Sequence, residues 1–400
     1  MICSRLYGDT IMLVDGYQEV LIIDTKGWQS RSIQEPPNER VIRGPREGFT
    51  ETIRFNTAML RRKINNPDLT VEQVIVGQKT HTYVALVYLK GIVNPKLVEE
   101  VKQRLKRIKT DAILESGYIE QFIEDSPMSL FTTVGNTEKP DIAAAKILEG
   151  RVAILIDGSP IALTVPMLFV EGFQSAEDYY SRPFTASFLR MLRFASFFIT
   201  LLSPALYVAL TNYHHEFIPT PLLITMEAAS DGTPFPAVFE ILLMGLVFEI
   251  LREGGIRLPS PIGQALSIVG ALIIGDAAVS AGLIGTPLVI VIALTAVSSF
   301  LVNTHQDALI LLRFLFIILA GILGAVGIVI GLLFILVHLC SIRSFGTPYL
   351  SPLAPFTFQD MKDTFIRAPI WAMLTRPQLI SKLNKKREVS GLEPGPEQKS

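Results

Sequence analysis

Asp276 is the single charged residue in SIVGALIIGDAAVSAGLIGTPLVIVIALTAVSSF, residues 267 to 300. An ionised carboxylate in hydrocarbon costs a few kcal/mol on insertion scales. A bilayer-crossing segment that holds one therefore needs either water beside it or a polar partner. Ser280 follows one helical turn later and Thr286 shortly after, and either hydroxyl could bond to Asp276. Two more acids, Glu240 and Glu249, interrupt AVFEILLMGLVFEIL. Their nine-residue separation is about 900° round a helix, which puts them on opposite faces. Glu249 stands beside Arg252 and reads as half of an interfacial salt bridge. Glu240 is left as a second candidate intramembrane polar group.

Elsewhere the chemistry is sparse. RGPREGF (Arg43 to Phe49) joins two glycines to two arginines. It lacks the Gly-Lys-Ser/Thr ending of a phosphate-binding loop and reads as a structural turn. Lys102, Arg104, Lys106, Arg107 and Lys109 alternate with apolar positions of an amphipathic helix. That pattern predicts a solvated or headgroup-facing surface rather than a nucleic-acid site. Cys3 and Cys340 lie at opposite ends and make no disulfide framework. No acid–base pair, nucleophile constellation or His/Cys cluster is legible. No enzyme, metal site or cofactor is expected.

These residues depend on a chain divided in three. Hydrophobic residues make up 49% and charged residues only 18%, below the usual quarter. Residues 1–189 are charge-rich, 190–340 overwhelmingly apolar, and 341–400 rich in Pro, Lys and Arg. The fold class expected is an N-terminal cytoplasmic mixed α/β domain, an α-helical transmembrane bundle and a basic cytoplasmic tail, disordered after about 381. The start, MICSRLYGDTIMLVDG, carries no signal-peptide pattern.

In the first part, TIMLVDGYQEVLIIDT and RVAILIDGSPIALTVP read as hairpins turning at Asp15-Gly16 and Asp157-Gly158. HTYVALVYLKG is apolar on both faces and reads as a buried strand. Asn94 caps a helix with Pro95 at its first position, and Leu97, Val98, Val101, Leu105 and Ile108 mark its buried face.

In the second part, Met191 to Leu210 is a clear span of about 20 residues, and Arg182, Arg190 and Arg193 ahead of it fit a cytoplasmic start. The loop from Thr211 to Pro236 has acids but no Lys or Arg and is expected outside. Ile262 to Ile284 and Thr286 to Val302 make two small-residue-rich spans joined at Gly285-Thr286-Pro287. The run from Asp307 to Cys340 is too long for one untilted span and short for two. A basic tail on the cytoplasmic side requires an even number of crossings, four or six. Either the Glu-bearing segment is re-entrant, or Gly321, Gly324 and Gly327 break the last run into a hairpin. In the tail, Phe358, Met361, Phe365 and Trp371 could lie against a bilayer.

IRGPREGF, ALVYLKGIVNPKLVEEVKQRL, ILESGYIEQFIEDSP, ILEGRVAILIDGSP, SRPFTASFLRMLRFASFFITLLSPALYVALT, FEILREGGIRLPSPIGQALSIVGALIIGDAAV and HLCSIRSFGTPYLSPLAP together resemble the A subunit of the spore germinant receptor, the GerA family, up to about residue 370. The resemblance implies a nutrient-receptor subunit in the spore inner membrane, partnered by a transporter-like B subunit and a lipoprotein C subunit. It also implies a homo-oligomer, a pentamer being one arrangement, whose spans form a gated channel for monovalent cations. The family has more soluble chain ahead of the position of Cys3, so the start reads as shortened or divergent.

With that resemblance, Asp276 has three readings: packing, pore lining, or contact with the B subunit. Repeated round a ring it would favour cations in a hydrated lumen, and Val279, Val289 and Val291 could supply a constriction that closes by dewetting. The alternative to a channel is a non-conducting scaffold that couples a sensing partner to a separate channel. A secondary transporter is weaker, because no internal repeat is visible.

Overall fold

The structure, a computed structural model, describes residues 10–12, 21–23, 32–257, 275–381, 384–389, 391–392 and 394. The expected turn at Asp15-Gly16 lies outside them, but its arms β1 (Thr10–Met12) and β2 (Leu21–Ile23) pair antiparallel. The first domain is built on a five-stranded antiparallel sheet. Its members are β3 (Leu69–Val76), β4 (Thr82–Leu89), β5 (Gly135–Thr137), β6 (Val152–Ile156) and β7 (Ala162–Val165), in the order β3-β4-β6-β7-β5.

Strand periodicity explains the unbroken apolar runs of β4 and β6. Val84, Leu86, Tyr88 and Ile154 face one side, where α2 (Pro95–Arg107) and α3 (Ser116–Ile123) cover them. Ala85, Val87, Leu89, Ala153 and Leu155 face the other, against α1 (Ile53–Lys63) and α4 (Pro140–Leu148). With both faces covered, no polar alternation is needed. Asn94 caps α2 as its sequence predicts, its side chain accepting from Lys96 N at 3.1 Å. The hairpin of β6 and β7 turns through Gly158 at φ 88°. Its Asp157 accepts from Ile53 N at 3.1 Å, supplying the cap that Thr52 does not give α1. RGPREGF bends at Arg43-Gly44 and is then held by distant groups, Lys139 Nζ donating to Pro45 O at 3.1 Å and Gly48 N to Gln34 O at 2.9 Å.

Arg104 departs from the surface role predicted for the basic run. It bonds Glu100, Asp125 and the carbonyl of Ile123, and lies 4.2 Å from the Phe345 ring centroid. Lys102 pairs with Glu72 at 2.6 Å. Their position on an amphipathic helix did not reveal partners that arrive from α3, β3 and the tail.

After α5 (Ala176–Tyr180), α6 (Pro183–Asn212) runs away from the domain. Its 30 residues span about 45 Å. At its far end Tyr213 OH donates to Gly321 O at 2.7 Å. The loop expected outside contains α7 (Thr220–Ser230), and α8 (Ala237–Arg257) then starts beside Gly321 at Val238. The Glu-bearing segment is thus a helix of 21 residues. Of Ile262 to Ile284 only the end is described, with 275–280 helical. It leads into α9 (Thr286–Ser299), which returns toward the domain.

The final run is two helices, α10 (Gln306–Leu323) and α11 (Ala325–Ser341). Gly324 separates them at φ 62°, ψ −141°, a conformation confined to glycine. They pack antiparallel. A Cβ on Gly327 would stand 2.3 Å from Leu319 O, and one on Gly331 2.9 Å from Phe316. Of three candidate breakers, Gly324 makes the break, while Gly321 and Gly327 lie within helices. α6 and Asn303–Leu323 are long and apolar enough to cross a membrane.

The tail folds back onto the first domain. β8 (Arg343–Ser344) and β9 (Thr347–Pro348) form a tight hairpin. Ser344 Oγ donates to Thr133 O at 2.6 Å and accepts from Met167 N at 3.0 Å, and Phe169 N donates to Tyr349 O at 2.9 Å. Residues 384–389, expected to be disordered, pair with 374–376, Arg376 N donating to Lys385 O at 2.9 Å.

Candidate functional site

Asp276 and Ser280 lie one turn apart in the helical residues 275–280, both exposed and therefore on one outward face. Val279, Val289 and Val291 are partly buried against the helix core. Val289 lies against Gly275, where an added Cβ would meet it at 3.3 Å. Glu240, in contrast, is 4% exposed inside the bundle, with Gly285 N at 3.4 Å from its Oε2. Glu249 pairs with Arg252 at 2.6 Å, as its spacing predicts, and also with Arg313 of α10. The bundle therefore holds its acids in three settings: an outward Asp276, an inward Glu240, and Glu249 tied to two arginines.

The densest polar construction is at the junction of domain, α6 and tail. Arg190 was expected only as a positive charge flanking a span. It is fully buried, with Nε 3.2 Å from Asp178 Oδ2 and Nη1 donating to Asp363 O and Oδ1 at 2.7 and 2.8 Å. Arg193 bonds both oxygens of Asp178 at 2.9 Å. Tyr179 OH donates to Asp363 Oδ2 at 2.8 Å. Burial holds that phenol well above the ordinary tyrosine range, and Asp363 adds to the shift. Beside this network is a cavity of ≈ 280 Å³ bordered by Lys146, Glu149, Arg151, Glu171, Thr304 and Arg387. Burial pushes the Glu171 carboxyl up, but Arg151 and Lys146 more than offset it and keep it below the usual range. Glu149 is raised by burial.

Sequence reasoning missed this junction because Asp178, Arg190 and Asp363 share no motif; the only signal was charge beside the first span. The arrangement joins three parts of the chain mechanically. No group of three or more His, Cys, Asp or Glu suited to a metal ion occurs among the described residues.

The whole chain has close counterparts. A family model described as "Bacillus/Clostridium GerA spore germination protein" matches residues 1–379. The chain is 50% identical over 393 residues to spore germination protein KA of Bacillus subtilis, covering 98% of this chain and 72% of that protein. Spore germination protein GerLA of Bacillus cereus is 43% identical over 382 residues, covering 95% and 78%. Among solved structures, the N-terminal domain of the A subunit of the Bacillus megaterium spore germinant receptor GerK3 is 52% identical. It covers 30% of this chain and 97% of that one, with a TM-score of 0.26.

Proposed function

Since the chain belongs to the Bacillus/Clostridium GerA spore germination protein family, we propose that it is the A subunit of a nutrient-sensing germinant receptor in the spore inner membrane. Its partners are a transporter-like B subunit and a lipoprotein C subunit, and it assembles with copies of itself into a nutrient-gated channel for monovalent cations. The match over residues 1–379 carries the reading. The helices add support. α8 ends toward the domain and α9 begins at the far end beside Glu240. An even number of crossings, four or six, puts domain and tail on one side, as the contacts between them require.

In a ring of subunits, a pentamer being one arrangement, the exposed face of Asp276 and Ser280 lines the hydrated path. A ring of acids there favours cations, and the partly buried Val279, Val289 and Val291 are the candidates for a constriction that narrows it. The buried junction of Asp178, Arg190 and Asp363 supports a second reading. It suits a non-conducting scaffold that relays a partner's change of state to a separate channel.

K+ efflux from liposomes holding the chain, alone and with B and C subunits, with and without a nutrient mixture, separates the two. Nutrient-dependent efflux whose rate or cation preference changes in Asp276→Asn supports the channel and places Asp276 on the path. A complete complex that passes no ions with any nutrient selects the scaffold and leaves Asp276 a packing residue.

A further inference from the structure

The first turns of α6 and the tail beside them have inverted polarity. Their charges point inward: Arg190 and Arg193 to Asp178, Arg190 to Asp363, and Arg367 to the carbonyl of Tyr179. Lys362 is held by Thr375 at 2.6 Å. Their large apolar residues point outward: Phe184 is 90% exposed, Phe358 83%, Ile366 62%, and Phe188, Ile370 and Trp371 are exposed as well. A surface meeting water has the opposite arrangement, and a cluster of this size needs a covering.

The height of the cluster along α6 says what covers it. A hydrocarbon core of about 30 Å takes up two thirds of α6's roughly 45 Å, and Met191 to Leu210 supplies that portion. The turns carrying Phe184 and Phe188 lie just outside it. The tail is fixed at the same height. Arg367 N donates to Ser187 Oγ at 3.0 Å, Asp363 receives Arg190, and the Phe365 ring sits 4.7 Å from Phe194. Further along α6, Phe198 and Leu206 continue the exposed apolar surface.

We infer that Phe184, Phe188, Phe358, Ile366, Ile370 and Trp371 form one interfacial collar, seated among the lipid headgroups and upper acyl chains. Its height is set by the ion pair between Arg190 of α6 and Asp363 of the tail. Aromatic rings are favoured at that depth because an apolar body and a polar edge are both accommodated. The collar rests on the reading that α6 spans a membrane.

Trp371 reports the depth directly, because the chain has only two tryptophans and Trp28→Phe leaves it alone. The full-length variant is reconstituted in phosphatidylcholine vesicles brominated high or low on the acyl chain, with iodide as the aqueous quencher. The expected result is loss of Trp371 emission with the upper-brominated lipid, less loss with the lower-brominated lipid, and little with iodide. Quenching by iodide alone means a water-facing tail. Quenching by neither means a protein covering, either a second copy or a partner. Stronger quenching by the lower bromines puts the residue in the core. Each of these overturns the collar. If Trp28→Phe fails to fold, the difference between the wild type and Trp371→Phe gives the same quantity. Alkaline carbonate extraction separates the two readings. Release of the chain sinks the membrane reading itself, whereas retention without upper-bromine quenching sinks only the collar.

Discussion

Arg190 joins two carboxylates, Asp178 at 1% exposure and the partly buried Asp363. Arg190→Ala leaves Asp178 with Arg193 as its remaining cation and Asp363 with the Tyr179 hydroxyl. Breaking a fully buried pair from one side costs about 3–5 kcal/mol and the remaining partners reduce that, so the variant should unfold at a lower temperature in detergent, with Arg190→Lys in between because it lacks the planar fork. Glu120 on α3 sets a different balance. Burial pushes its carboxyl up to about 7, and Glu124 and Glu115 add repulsion. A carboxyl raised above its unfolded value of 4.5 favours folding in its protonated form, and that contribution is lost as pH rises through about 7. Stability should therefore fall between about pH 4.5 and 7. Glu120→Gln should remove about 1 kcal/mol of that fall, after discounting for its partial exposure, read as a smaller pH dependence of the denaturant midpoint. Asn94 and the Asp157-Gly158 turn could be read from the sequence because both act within a few neighbouring residues. Arg190 could not. Its tail partner lies 173 residues away, and no local pattern carries that pairing.

The hairpin of α10 and α11 depends on two uses of glycine that look alike in sequence. Gly324 supplies a backbone conformation, while Gly327 and Gly331 supply room. Gly327→Ala puts a methyl within 2.3 Å of the Leu319 carbonyl oxygen, and backbone cannot yield as a flexible side chain can. The two helices must separate, losing close packing that apolar helices in lipid have few other means to replace. The expected outcome is faster proteolysis of the reconstituted chain between α10 and α11, with the first domain still folded. Sequence located a possible break among Gly321, Gly324 and Gly327, but small residues mark both breaks and close approaches. Only the facing helix distinguishes them. The sheet was easier to read, since β4 and β6 show their double burial as unbroken apolar runs. The order that places β5 at an edge beside β7 is set by contacts no single run encodes.

Composition divides the chain at about residues 190 and 340, where charge, hydropathy and proline content all change. What composition does not carry is the return of the third part to the first. Ser344, Tyr349 and Ile380 are buried against elements made more than 150 residues earlier, so the tail completes the first domain rather than trailing from the bundle. The junction has a consequence for how the chain is made. At about 5–20 residues per second, the 173 residues between Arg190 and Asp363 take roughly 10–35 s to synthesise. During that interval Arg190 of α6 has one of its two acidic partners and the domain lacks the strands and rings that close it. A nascent chain is thus provisional until its last sixty or so residues emerge, and a prematurely ended product carries the exposed core and half-paired arginine by which a quality-control protease can recognise it.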